Sequence, residues 1–265
     1  MDWDAAYDNV SAIANADEII AEWHNMAKAA RAELPGQLGI PYGPSERECF
    51  DLFTPAGTTK GMVVFVHGGY WRRFNRDVFS WVARGPMAHG WAVAIPGYTL
   101  CPAIRIGGIS RQIAASVERV AEAVAGPIRL AGHSAGGHLV TRMLCPGLLR
   151  PETARRVERT VSISGLHDLD PLRLTAMNET LGLTEDEAQK ESPINHIPAI
   201  TTPLTCWVGA DELPEFRRQN QLLTHWRATG MKITQIEAEG HNHLSVIGPL
   251  ADPNSDLTHA LLAKI

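Results

Sequence analysis

Residues 128–144 read Ile128-Arg129-Leu130-Ala131-Gly132-His133-Ser134-Ala135-Gly136-Gly137-His138-Leu139-Val140-Thr141-Arg142-Met143-Leu144. An apolar run, a serine set between glycines and a helix-forming stretch follow without a gap. That order predicts a strand, a sharp turn and a helix around a G-x-S-x-G motif. Small residues are needed on both sides of Ser134, because strand and helix pass within contact distance at such a turn. The turn strains the serine backbone and lifts its hydroxyl to the top of a sheet. A hydroxyl so placed is a nucleophile, and a nucleophile implies acyl transfer.

A second stretch agrees with the first. Met62-Val63-Val64-Phe65-Val66 is continuous, apolar and rich in valine, the pattern of a buried parallel strand. It empties into His67-Gly68-Gly69-Tyr70-Trp71. Two glycines after a buried strand let backbone N–H groups turn inward. Developing negative charge on a carbonyl oxygen requires such fixed donors. The second half of an oxyanion hole is the N–H of the residue after the nucleophile, Ala135.

Around these motifs, short apolar runs alternate with helical patterns. Strands are expected at Glu48–Phe53, Met62–Val66, Ala92–Ile95, Ile128–Ala131, Val161–Ser164, Leu204–Val208 and Ile233–Ile236. Helices are expected at 109–124, where Ile109, Ile113, Val117, Val120 and Val124 form one stripe, and at 213–229 and 254–264. This predicts one α/β domain over residues 1–265, with a mostly parallel sheet and helices on both faces. Residues 1–40 form an N-terminal helical segment, packed on the core or capping a pocket. Residues 166–200 interrupt the rhythm between two strands, where insertions shape binding sites.

Composition excludes several classes. The 265 residues are 45% hydrophobic and 20% charged, enough for one large core. A net charge of -5 favours neither nucleic acid nor an anionic membrane. No apolar stretch approaches a bilayer's thickness, and the acidic start Met1-Asp2-Trp3-Asp4 is not expected to act as a signal peptide. The four cysteines are scattered without a C-x-x-C pair, which argues against zinc and redox chemistry and for a reducing, cytoplasmic setting.

A serine nucleophile needs a base, and the base an orienting carboxylate. Both are expected after later strands. Gly209-Ala210-Asp211-Glu212 offers two carboxylates, and His241-Asn242-His243 offers two imidazoles. His243 is preferred because Leu244-Ser245-Val246-Ile247 supplies a short apolar helix behind it. His67 and His138 are read as structural hydrogen-bonding residues. Tyr70 and Trp71 are placed to stack on an aromatic leaving group. Arg72 and Arg73 either pair with a substrate carboxylate or stand as solvated surface charges.

Together these motifs resemble the α/β hydrolases. More narrowly, the chain resembles the kynurenine formamidase (arylformamidase) group and neighbouring hormone-sensitive-lipase-like esterases. The resemblance rests on His67-Gly68-Gly69-Tyr70-Trp71, Pro96-Gly97-Tyr98, Gly132-His133-Ser134-Ala135-Gly136-Gly137 and Pro214-Glu215-Phe216-Arg217-Arg218-Gln219, and runs from residue 61 onward. It implies a catalytic Ser134, with the acid at Glu212 and the base at His243. It implies an oxyanion hole of Gly69, Tyr70 and Ala135 shaped by Gly68, and substrate contact at Trp71. The implied substrate is a small ester or aryl formamide resembling N-formylkynurenine, with no cofactor and no metal. Nucleic acid and membranes are not expected partners, and a homodimer is compatible with the sequence. A broad carboxylesterase or thioesterase would use the same machinery, and a silent binding scaffold is the remote alternative. Two positions depart from the group's usual residues: Glu212 stands for Asp, and Leu244 for Phe.

Overall fold

The computed structural model describes residues 1–263. Eight strands form one sheet in the order β1-β2-β4-β3-β5-β6-β7-β8. They are β1 (Gly36–Pro41), β2 (Cys49–Phe53), β3 (Met62–Val66), β4 (Ala92–Pro96), β5 (Ile128–His133), β6 (Val157–Ile163), β7 (Leu204–Gly209) and β8 (Ile233–Ala238). From β4 to β8 every pairing is parallel, with Val66 opposite Gly132 and Gly132 opposite Ser162. β2 runs antiparallel to β4, and β1 antiparallel to β2.

Alternate residues of the central strands feed two apolar layers. On one face Val64, Val66 and Leu130 pack with Ile109, Ile113, Val117 and Leu139. The helices there include α4 (Ile106–Ala123) and α5 (Ala135–Arg142). On the other face Val63, Phe65, Val93 and Val161 pack with Trp23, Met87, Leu257 and Leu261. Those come from α2 (Ala16–Glu33), α3 (Arg84–Ala88) and α10 (Asp256–Leu262). The remaining helices are α1 (Trp3–Tyr7), α6 (Pro151–Ala154), α7 (Asn178–Leu181), α8 (Glu185–Glu191) and α9 (Pro214–Gln221).

Three sequence expectations are corrected. Strand β1 lies inside the segment expected to be helical. Gly36-Gln37-Leu38-Gly39 has no apolar alternation, and the strand exists because β2 offers it a partner edge. Residues 1–34 are two helices separated by turns. The helix expected at 213–229 is α-helical only to Gln221 and continues as a 3₁₀ stretch, Leu222–Thr229, ending at Gly230 in the left-handed conformation. The last expected helix ends at Leu262, and Lys264 lies outside the described residues.

Candidate active site

The C-terminal ends of β3, β5, β6, β7 and β8 converge on one edge of the sheet. Open α/β sheets bind ligands there, where loops leave the rigid strands. Ser134 follows β5 directly and precedes the first residue of α5. Its backbone is left-handed, with φ 56° and ψ −119°. The crowding explains why glycine is required around it. A Cβ on Gly136 would sit 1.9 Å from the Val66 carbonyl oxygen, and one on Gly132 would sit 2.2 Å from the Gly136 carbonyl oxygen. Both contacts are shorter than real Cβ atoms tolerate.

Glu212 and His243 meet across 31 residues of sequence. The His243 Nδ1–H donates to Glu212 Oε2 at 2.6 Å. The other oxygen, Oε1, accepts from the Gly209 N–H at 2.8 Å and from the Ser164 hydroxyl. Glu212 is therefore buried but fully hydrogen-bonded, which is how an interior carboxylate is kept. Asp211 is exposed and His241 lies half-buried beside Ser245, 3.3 Å away. The structure thus brings the side chains of Glu212 and His243 together, whereas Asp211 and His241 meet only through their backbones, the Asp211 N–H donating to the His241 carbonyl at 3.1 Å. Phe216 packs on the His243 ring at 4.5 Å between centroids.

The His-Gly-Gly loop lies against Ser134. A Cβ on Gly68 would fall 2.9 Å from Ser134 Cβ. Gly69, Tyr70 and Trp71 all have positive φ, at 107°, 49° and 54°. Among the described residues, no acceptor meets the N–H of Gly69, Tyr70 or Ala135. His67 anchors the loop through Nδ1 and the Gly68 carbonyl at 2.8 Å, with its ring stacked on Tyr98. Burial lowers the His67 pKa to about 3, so it is neutral. His138 is likewise neutral, held to the Glu191 carbonyl at 2.7 Å, with its pKa lowered to about 3 by burial. Both occupy the structural roles read from the sequence.

Ser134 and His243 line one cavity of about 50 Å³, with Gly68, Gly69, Tyr70 and apolar walls from Trp23, Phe79 and Leu244. Asn9, Val10 and Ile20 also line it, as do Arg73, Phe74 and His133, so the N-terminal segment both packs on the core and borders the site. Beyond Tyr70 a second space of about 330 Å³ is lined by Arg72, Arg73, Asp4 and Asp8. Among the described residues neither arginine forms a salt bridge. Trp71 is the correction here. It is 0% exposed, packs edge-on against His138, and reaches neither space. With an alternating loop direction, Tyr70 faces the site and Trp71 the core.

Four contributors, His133, Ser164, Tyr7 and Asn9, carry no legible signal in the sequence. His133, the variable residue of the motif, donates its Nε2–H to the His243 carbonyl at 2.8 Å and packs on the His243 ring. Burial, then the neighbouring His243, holds the His133 pKa well below its ordinary value. Ser164, at φ 51°, braces Glu212. Tyr7 and Asn9 reach the site from the far end of the chain. No cluster of three His, Cys, Asp or Glu suited to a metal ion occurs among the described residues. Nor is any helix among them long and apolar enough to cross a membrane.

Comparison with known proteins places the chain in context. No protein-family model matches it. The crystal structure of a "putative thioesterase" from Silicibacter sp. is 42% identical, with TM-score 0.95, covering 99% of this chain and 100% of that one. A kynurenine formamidase from Danio rerio is 27% identical over 95% of this chain and 90% of its own. An esterase from Pyrobaculum calidifontis is 18% identical, with TM-score 0.70, covering 92% of this chain and 89% of that one, and shares the fold.

Proposed function

We propose that this chain, which belongs to the α/β-hydrolase family, is a serine hydrolase that cleaves a small ester or an aryl formamide of the N-formylkynurenine kind. The observation that carries the reading is the 2.6 Å His243–Glu212 contact beside the left-handed Ser134 in one cavity. Ser134 Oγ attacks the substrate carbonyl while His243 Nε2 takes its proton. Glu212 holds the other ring nitrogen and stabilises the imidazolium that forms. The oxyanion lies against the N–H groups of Gly69, Tyr70 and Ala135, each worth about 3–4 kcal/mol of transition-state stabilisation in comparable sites. His243 then gives its proton to the departing amine or alcohol. Water, deprotonated by His243, cleaves the acyl-serine and restores the free hydroxyl.

A chamber of about 50 Å³ holds a few water-sized groups and suits a short acyl group. The wider space beyond it, with Arg72 and Arg73, suits a leaving group that carries an anion, although Asp4 and Asp8 share its wall. The formamidase relatives support the aryl formamide reading. A thioesterase is the second reading, favoured by the name carried by the 42% identical Silicibacter protein. The decisive experiment compares kcat/KM for N-formylkynurenine, p-nitrophenyl acetate and acetyl-CoA. A formamidase prefers the first by at least tenfold, and a thioesterase the third. Ser134→Ala should lower kcat by several orders of magnitude and abolish labelling by a fluorophosphonate, with the fold intact. Wild-type turnover in that variant would overturn the reading.

A further inference from the structure

The N-terminal segment is joined to the Gly-rich loop by part-buried hydrogen bonds and to α9 by buried ones. The Tyr70 hydroxyl donates to the Tyr7 carbonyl at 2.7 Å and accepts from Asn9 Nδ2 at 3.2 Å. The Tyr7 hydroxyl donates to Glu215 Oε1 at 2.8 Å and accepts from Gln219 Nε2 at 3.2 Å. Glu215 stands three residues after Glu212, at the start of α9. The Tyr7 ring lies edge-on to Phe216, at 5.9 Å, and Phe216 packs on His243. Through its carbonyl and its side chain, Tyr7 therefore links the loop that carries Tyr70 to α9, whose Phe216 packs on His243.

This arrangement matters because the loop needs outside support. Tyr70 and Trp71 are consecutive side-chain-bearing residues with positive φ, a conformation that persists only where the surroundings impose it. Trp71 is fixed by burial and by its carbonyl, which accepts from the Cys101 N–H at 2.8 Å. Tyr70 is half-buried, and among the described residues its side-chain hydrogen bonds run only to the N-terminal segment. We propose that Tyr7, Asn9 and the Tyr70 hydroxyl are positioning residues: by tethering the Tyr70 side chain, they hold its backbone N–H ready for the oxyanion. The inference rests on the serine-hydrolase reading of Ser134 and adds to it the N-terminal segment as a working part of the site.

The test is Tyr70→Phe in the full-length chain, which keeps the ring and removes the hydroxyl, assayed with p-nitrophenyl acetate. The tether predicts a fall in kcat of about tenfold at unchanged KM, with fluorophosphonate labelling of Ser134 slowed in parallel. Asn9→Ala, at the partly solvated end of the tether, should give a smaller fall of the same kind. In an Asn9→Ala background the effect of Tyr70→Phe should shrink, because both act through one hydroxyl. A kcat less than threefold below wild type, or a loss confined to KM, overturns the proposal. Additive effects of the two substitutions overturn it as well. The parent reading fails separately: it falls only if Ser134→Ala stays active. An inactive Ser134→Ala beside a fully active Tyr70→Phe removes the tether alone.

Discussion

Ser134 and Ser164 both carry side chains on left-handed backbone, with φ of 56° and 51°. Each such residue costs about 1–3 kcal/mol and persists where packing over-determines it. For Ser134 the surroundings are the glycines of the turn, which let α5 start directly beside β3. For Ser164 they are the 2.6 Å bond from its N–H to the Trp207 carbonyl and its hydroxyl on Glu212. The hydroxyl has a definite task, since it fills one acceptor site of a buried carboxylate whose other partners are Gly209 and His243. Ser164→Ala should therefore lower kcat by about tenfold and stability by about 1–2 kcal/mol, with Gly209 keeping Glu212 partly satisfied. Ser164→Gly separates the two effects. It loses the same hydrogen bond but relieves the strain, so kcat should fall while stability recovers relative to the alanine variant. Equal activity of all three proteins would show that Glu212 needs no brace.

Helix α2 shows how one element serves two ends. Trp23 is 2% exposed and packs on Phe79, Trp81 and Phe74 at centroid distances of 5.4, 6.4 and 6.1 Å. That contact fixes the helix against the sheet face, and the same indole walls the cavity beside Ser134. Trp23→Ala should cost about 3–5 kcal/mol, read as a lower denaturation midpoint at unchanged slope. The enlarged chamber should at the same time accept longer acyl chains, seen as a rise in p-nitrophenyl butyrate over acetate turnover. A variant of unchanged stability would mean that α2 is only loosely docked. Helix α4 has a simpler duty: its stripe of Ile109, Ile113 and Val117 lies wholly in the core, which is why its period is plain in the sequence.

Across the whole molecule, several imidazoles are desolvated. Burial lowers the pKa of His67 and His138 to about 3 and of His167 to about 4, and lowers that of His133 as well. In the unfolded chain each protonates near pH 6.5, so below that pH the unfolded state binds more protons than the folded one. The stability these neutral histidines confer is complete above about pH 6.5 and is lost as pH falls toward their folded values. Each contributes a slope of at most about 1.4 kcal/mol per pH unit in that window. The melting temperature should accordingly drop steadily between pH 7 and pH 5. A flat profile in calorimetry over that range would show that water reaches these rings.

The strand–turn–helix motif, the valine-rich strand before His67 and the amphipathic stripe of α4 were legible because they are local: the period of the pattern and the required glycines lie within a few neighbouring residues. From them the α/β class follows, whereas the order of the strands is seen only in the folded sheet. The edge strand β1 was not legible, since its pairing is supplied by β2 and not by its own residues. The choice of Glu212 over Asp211 rests on the family resemblance, since either carboxylate follows the strand closely enough. The hydrogen bonds to it from Ser164 and Gly209, however, exist only where the ends of β6 and β7 meet. Trp71 was read as facing the substrate, but the turn of the loop after Gly69 sends it into the core and leaves Tyr70 at the cavity. Tyr7 and Asn9 border the site although more than a hundred residues separate them from Ser134. Sequence determines what each segment can become. Only the folded chain decides which distant polar groups meet, because their hydrogen bonds form between elements that the sheet alone brings together.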